Sequence, residues 1–190
     1  MADVASSVLT PWSNFYFMTG SSAATLTGLM FVVITLVSRQ QRSNAQDGIS
    51  TFTTPTVVHF CAALFVSAVV IAPWRSLLSP AALLGLAGLY GVVHVLSVML
   101  RARRLSAYRP DLEDWISHAI LPMVAYGAIA AGAIALPTAP VQGLFAVAAG
   151  VVFLIFIGIH NAWDVVTYIV TEGLDKPTES SSPQDADAPG

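Results

Sequence analysis

Five long apolar segments separated by short polar stretches make up most of the chain. They span residues 12–38, 55–74, 80–100, 111–136 and 141–171. Each has about 20 residues or more, which is the length that an α-helix needs to cross the hydrocarbon core of a bilayer. The pattern therefore predicts an all-α protein: an integral membrane bundle of five transmembrane helices, formed as one domain by residues 1–172.

Proline placement suggests where these helices begin. Thr10-Pro11, Thr54-Pro55 and Ser79-Pro80 each put a capping hydroxyl before a proline, and proline is favoured in the first helical turn because its missing N–H is not needed there. We read residues 1–9 as a short polar lead and residues 43–54 as a polar connector. A further proline, Pro122, lies inside the fourth segment and predicts a kink about one turn into the membrane.

The composition agrees with a membrane location. Hydrophobic residues make up 55% of the 190 residues and charged residues only 10%, whereas about a quarter of a soluble domain is charged. From residue 173 onward Pro, Ser and Asp dominate, which predicts a disordered acidic tail over residues 173–190. No basic run has the interleaved aromatic residues of a nucleic-acid binder, so nucleic acid is not an expected partner.

The charged residues are distributed asymmetrically between the two predicted sides of the membrane. Five spans put the termini on opposite sides, and six arginines then share the side that carries the C-terminus, against Arg75 alone on the other. The positive-inside rule predicts an external N-terminus and a cytoplasmic C-terminus in a multi-pass protein of the cell (inner or plasma) membrane. The six arginines are Arg39, Arg42, Arg101, Arg103, Arg104 and Arg109.

Two pentads of reversed order carry the candidate chemistry. His160 and Asp164 belong to the sequence HNAWD in the fifth segment, and Asp114 and His118 to the sequence DWISH in the fourth. Because these two segments are joined by a short turn, we expect them to be adjacent and antiparallel, which brings a motif and its reversal to the same depth. Within each pentad the histidine and aspartate are spaced i,i+4 and share a helix face.

One hypothesis is a metal site at the cytoplasmic side of the bundle. All four histidines of the chain belong to the predicted inner leaflet, so two imidazoles from the other helices could join the pentads. Imidazole and carboxylate suit a transition metal ion such as Zn or Fe. A haem is less favoured, because it would leave the aspartates unexplained. The predicted ligands are His59, His118, His160, Asp164, Asp114 and His94.

Two other functions fit the same residues. In the first, the protein is a structural or accessory membrane subunit, and the polar cluster only holds its helices together. In the second, it is a proton- or ion-conducting bundle in which His and Asp relay charge, although the outer halves of the spans lack ionisable side chains. Taken singly, the carboxylates that begin the fourth segment are explained by the helix dipole, and the single cysteine, Cys61, by packing. No catalytic motif assigns an enzyme class.

The first segment carries a stripe of small residues. Gly20, Ala24 and Gly28 recur every four positions, which allows a close approach of another helix of the bundle, a partner helix or a second copy of the chain. The stretch of residues 28–32, GLMFV, resembles the first helix of small bacterial multi-span membrane proteins that carry Gly-Leu-x-Phe-Val. This resemblance covers one helix and implies a membrane location without an activity.

Overall fold

The computed structural model of the protein describes residues 2–40, 46–104 and 119–174, and this part of the chain is all-helical. Five of its helices have 15 residues or more. The elements are α1 (Ala2–Leu9), a 3₁₀ turn (Thr10–Trp12), α2 (Ser13–Gln40), α3 (Gln46–Ile71), α4 (Leu78–Arg104), α5 (Leu121–Ala135) and α6 (Pro140–Leu174). The predicted all-α fold is confirmed.

Three helical stretches are long and apolar enough to cross a membrane, which indicates a membrane protein. They are Ala5–Thr35, Leu78–Leu100 and Pro140–Asp164, with mean hydropathies of 1.6, 2.0 and 2.4. Thr56–Ile71 and Leu121–Ala135 are shorter apolar helices. At 1.5 Å per residue the latter two are about 24 and 22 Å long, less than the ~30 Å of a hydrocarbon core. Five complete spans therefore remain a prediction.

The first two helix starts predicted from proline are wrong. Residues 1–9 are not a polar lead, because α1 buries Ala5 and Leu9 at 1% and 7% exposure. Thr10 follows α1 directly, and its hydroxyl donates to the Ser6 carbonyl instead of capping a helix. The third helix begins at Gln46, so the Thr54-Pro55 pair lies inside it and most of the predicted connector is helical.

Pro80 and Pro122 each lie in the first turn of a helix. α4 begins at Leu78, two residues before the predicted start at Pro80, so Ser79 lies inside the helix and is not its cap. α5 begins at Leu121 after a π-helical turn at residues 119–120, and Pro122 occupies its first turn, where a proline costs no hydrogen bond. The preceding part of the fourth segment lies outside the described residues, so a kink within a longer helix remains a prediction.

The backbones of α5 and α6 approach each other closely at two glycines. A Cβ atom added to Gly132 would lie 2.6 Å from the Gly143 carbonyl oxygen, and one added to Gly150 would lie 2.7 Å from the Ala125 carbonyl oxygen. Both contacts are shorter than real Cβ atoms allow, so only glycine permits this approach of the two backbones. The residue numbers rise on one helix as they fall on the other, so α5 and α6 are antiparallel neighbours, as the short turn predicted.

The remaining helices pack around this pair. On α4, Gly88 lies against the Ala130 backbone of α5. On α2, Gly20 lies against Ser67 of α3, and the Tyr16 hydroxyl donates to the Leu144 carbonyl of α6 over 3.3 Å. Further contacts give the directions: Gly85 lies against Ala133, Gly158 against Phe60, and Ser13 beside Val70. With them, α2, α4 and α6 run in one direction, and α3 and α5 in the other.

The small-residue stripe of α2 serves two different surfaces. Gly20 is buried against α3 of the same chain, whereas Ala24 and Gly28 are exposed. A Cβ atom at Gly28 would meet nothing within 4 Å. Gly20 is thus explained by packing within the bundle. A partner helix at Ala24 and Gly28 remains a prediction.

Candidate functional site

A histidine and a tyrosine form a hydrogen bond in the interior of the bundle. His59 of α3 and Tyr126 of α5 are only 3% and 1% exposed. The His59 Nδ1 atom lies 3.0 Å from the Tyr126 hydroxyl oxygen, and the two rings are 5.7 Å apart with a tilt of 50°. Because buried imidazole and hydroxyl groups are costly without a partner, this bond holds α3 and α5 together in one relative position.

Packing from α4 and α6 fixes the tyrosine ring. The Gly91 backbone of α4 lies so close to the ring that a Cβ atom there would overlap it. On the other side of the bundle, the neighbouring Ala125 packs on Gly150, in the middle of the Pro140–Asp164 stretch. The His59–Tyr126 pair is therefore enclosed by the helices and shielded from solvent.

His94 lies on the same helix as Gly91, one turn further along. Its ring stacks loosely on Tyr90, with centroids 6.1 Å apart and planes 20° from parallel. The buried Nε2 atom of His94 has no hydrogen-bonding partner among the described residues. It does not reach the His59–Tyr126 bond through any hydrogen bond that the described part of the chain shows.

Two further polar pairs join helices closer to the end of the bundle where α2 begins. The Thr19 and Ser67 hydroxyl groups lie 3.2 Å apart and connect α2 to α3. The bond from the Tyr16 hydroxyl to the Leu144 carbonyl connects α2 to α6. Tyr16, Thr19 and Ser67 are all buried, at 5% exposure or less.

His160 and Asp164 form a surface pair on α6. Their Nε2 and Oδ2 atoms are 3.6 Å apart, and their side chains are 52% and 51% exposed. This separation exceeds that of a hydrogen bond. α6 continues to Leu174, so Asp164 lies well before the helix end and the helix dipole, which acts within the last turn, does not oppose its charge.

Asn161 follows His160 but points into the bundle. It is 2% exposed, and both polar atoms of its amide lack a hydrogen-bonding partner within the described residues. It lies three residues after Gly158, whose Cα packs against the Phe60 ring of α3. Asn161 therefore belongs to the inner face of α6 and not to the exposed face of the His160–Asp164 pair.

The four predicted metal ligands that the structure describes lie on different surfaces. Of these four, it brings together only His160 and Asp164, while His59 is bound to Tyr126 and His94 lies half-buried on α4. In the described ranges, no three His, Cys, Asp or Glu side chains are close enough to hold one metal ion. His118 and Asp114 lie outside these ranges, so their facing arrangement with HNAWD remains a prediction. Cys61, predicted to pack, is exposed.

Sequence reasoning missed Tyr126, because it considered only histidine and carboxylate side chains as the candidate polar site. A signal was available: Tyr126 is the only side chain of α5 that can form a hydrogen bond. A hydroxyl in the middle of such a helix needs a partner on a neighbouring helix.

The comparisons with known proteins add no relative. No protein-family model matches the chain, and no match was found among curated proteins or solved structures.

Proposed function

We propose that the protein is a structural, accessory component of a membrane, an integral helical bundle whose buried polar side chains hold its helices in register. One observation carries this proposal: among the described residues, three buried hydrogen bonds each join a different pair of helices. They connect α3 to α5, α2 to α3 and α2 to α6. In a bilayer, where the hydrophobic effect does not drive helix association, such bonds and close glycine packing supply the specificity of assembly.

We further infer that the bundle crosses the cell membrane five times, with the N-terminus outside. The common direction of α2, α4 and α6 supports this arrangement, because it gathers their C-terminal ends on one side. Arg39, Arg101, Arg103 and Arg104 all belong to these ends, and Arg75 follows α3 on the opposite side. The arginine-rich side then faces the cytoplasm.

A proton-conducting bundle is the second candidate. The observation that favours it is the His59–Tyr126 bond itself, because an imidazole and a phenol deep in a bundle are groups that can pass a proton. Against it, the polar pairs closer to the end where α2 begins consist of hydroxyl and carbonyl groups alone.

Proton flux and stability together separate the two functions. The purified protein is reconstituted into liposomes that contain a pH-sensitive dye, and a pH gradient is applied. The structural role predicts the same decay of the gradient as in protein-free liposomes. It also predicts that Tyr126→Phe lowers the melting temperature, while Tyr90→Phe, at a position that is 66% exposed, leaves it unchanged. Flux that depends on the protein and disappears in Tyr126→Phe would establish the proton path instead.

A further inference from the structure

The His160–Asp164 pair has the spacing of two ligands of one metal ion. Zn–N bonds of about 2.05 Å and Zn–O bonds of about 2.1 Å at a tetrahedral angle place the two ligand atoms about 3.4 Å apart. The Nε2 and Oδ2 atoms are separated by 3.6 Å, a difference that a small change in a side-chain torsion removes. An i,i+4 pair on one helix face is also a known chelating arrangement.

Among the described residues, this pair is only half of such a site. A tetrahedral ion needs four ligands, and in the part of the chain that the structure describes no third His, Cys, Asp or Glu joins the pair. The pair faces outward, beside Trp163 and one turn from Phe156, which are 68% and 67% exposed. The missing ligands can therefore approach from outside the bundle.

We propose that a second copy of the chain completes the site. Two copies in one membrane that are related by a two-fold axis along the membrane normal place identical residues at the same depth. His160 and Asp164 of both copies then surround one divalent transition metal ion with two imidazoles and two carboxylates. Such a ligand set suits Zn²⁺. Phe156 and Trp163 lie on the same face and form the apolar part of the contact.

The proposed dimer goes beyond the structural role, which needs no metal and no second copy. It also differs from the metal site predicted within one chain, in which His118 and Asp114 complete the set. The two arrangements differ in stoichiometry: one ion for two chains in the dimer, and one ion for each chain in the other. A count of ions and chains distinguishes them.

Native mass spectrometry of the full chain in detergent, with and without Zn²⁺, gives this count. We expect a dimer with one bound ion, and return to the monomer when a chelator is added. His160→Gln and Asp164→Asn should each weaken Zn²⁺ binding at least tenfold and abolish the metal-dependent dimer. His94→Gln, a matched change on another helix, should alter neither the Zn²⁺ affinity nor the metal-dependent dimer. One ion per monomer, no bound ion, or unchanged binding in His160→Gln would each overturn the proposal.

A cross-linking experiment tests the same contact in the membrane. In a Cys61→Ser background, Trp163→Cys should form a dimer with a short bis-maleimide, and added Zn²⁺ should increase its yield several-fold. Leu86→Cys, at a position of α4 that is 63% exposed, serves as the control and should not respond to Zn²⁺. Equal yields at the two positions, or no effect of Zn²⁺ at Trp163→Cys, would contradict the dimer.

Discussion

At the scale of single residues, the packing of the bundle interior relies on large side chains that lie against small residues. Tyr126 is held by a hydrogen bond to His59 and by the bare backbone of Gly91. The bond determines where the hydroxyl lies, and the glycine determines how closely α4 approaches the ring. Both contribute, because a ring that is free to move would lose the geometry of its hydrogen bond to the imidazole.

Gly91→Ala tests this contact. The added methyl group would overlap the Tyr126 ring, so either α4 or the ring must move, and we expect a loss of about 1–3 kcal/mol in unfolding free energy. Denaturant unfolding in mixed micelles measures the loss. Gly28→Ala provides the matched control, because its methyl group meets nothing within 4 Å. Equal effects of the two substitutions would show that the change reflects helix propensity and not packing on Tyr126.

At the scale of elements, the sequence predicts helices better than their ends. The segments predicted at 80–100 and 141–171 correspond to Leu78–Arg104 and Pro140–Leu174. The start of the segment predicted at 55–74 was misplaced by nine residues. The polar stretch from Gln46 to Thr54 is compatible with a helix although not with lipid. An apolar run marks the part of a helix that suits the membrane, and the helix itself continues beyond it.

The site was harder to predict than the helices, for a geometrical reason. His59 was predicted as a metal ligand and not as the partner of Tyr126. The apolar residues of α3 after Thr56 occur on every side of the helix, so its sequence does not show which face meets α5. That rotation is determined by contacts between distant segments, such as Phe60 with Gly158 and Gly20 with Ser67. By contrast, the i,i+4 spacing within one helix does place His160 beside Asp164, and the structure confirms their proximity.

The short helix α1 gives a prediction at the same scale. Leu9 is 7% exposed and belongs to the core, so Leu9→Ala should lower the free energy of unfolding by about 2–3 kcal/mol. Leu78→Ala, at a position that is 66% exposed, should have little effect. Thermal unfolding in detergent compares the two variants. If Leu9→Ala behaves like Leu78→Ala, then α1 contributes nothing to the stability of the bundle.

At the scale of the whole molecule, the orientation in the membrane determines whether His160 and Asp164 lie at the cytoplasmic side, as we propose. In a Cys61→Ser background, Ser76→Cys lies beside Arg75 in the exposed turn after α3 and should react with membrane-impermeant thiol reagents in intact cells. Asn44→Cys, in the stretch that follows α2, should react only after the cells are lysed. The opposite pattern of labelling would reverse the orientation.

We propose that buried polar pairs hold this bundle together, and a double-mutant cycle on His59 and Tyr126 tests this proposal most directly. Unfolding free energies in mixed micelles are compared for the wild type, His59→Leu, Tyr126→Phe and the double variant. Because hydrogen bonds between membrane helices contribute about 0.6 kcal/mol on average and up to about 1.7 kcal/mol, we predict a coupling energy within that range. Additive losses, with a coupling below about 0.3 kcal/mol, would contradict the account.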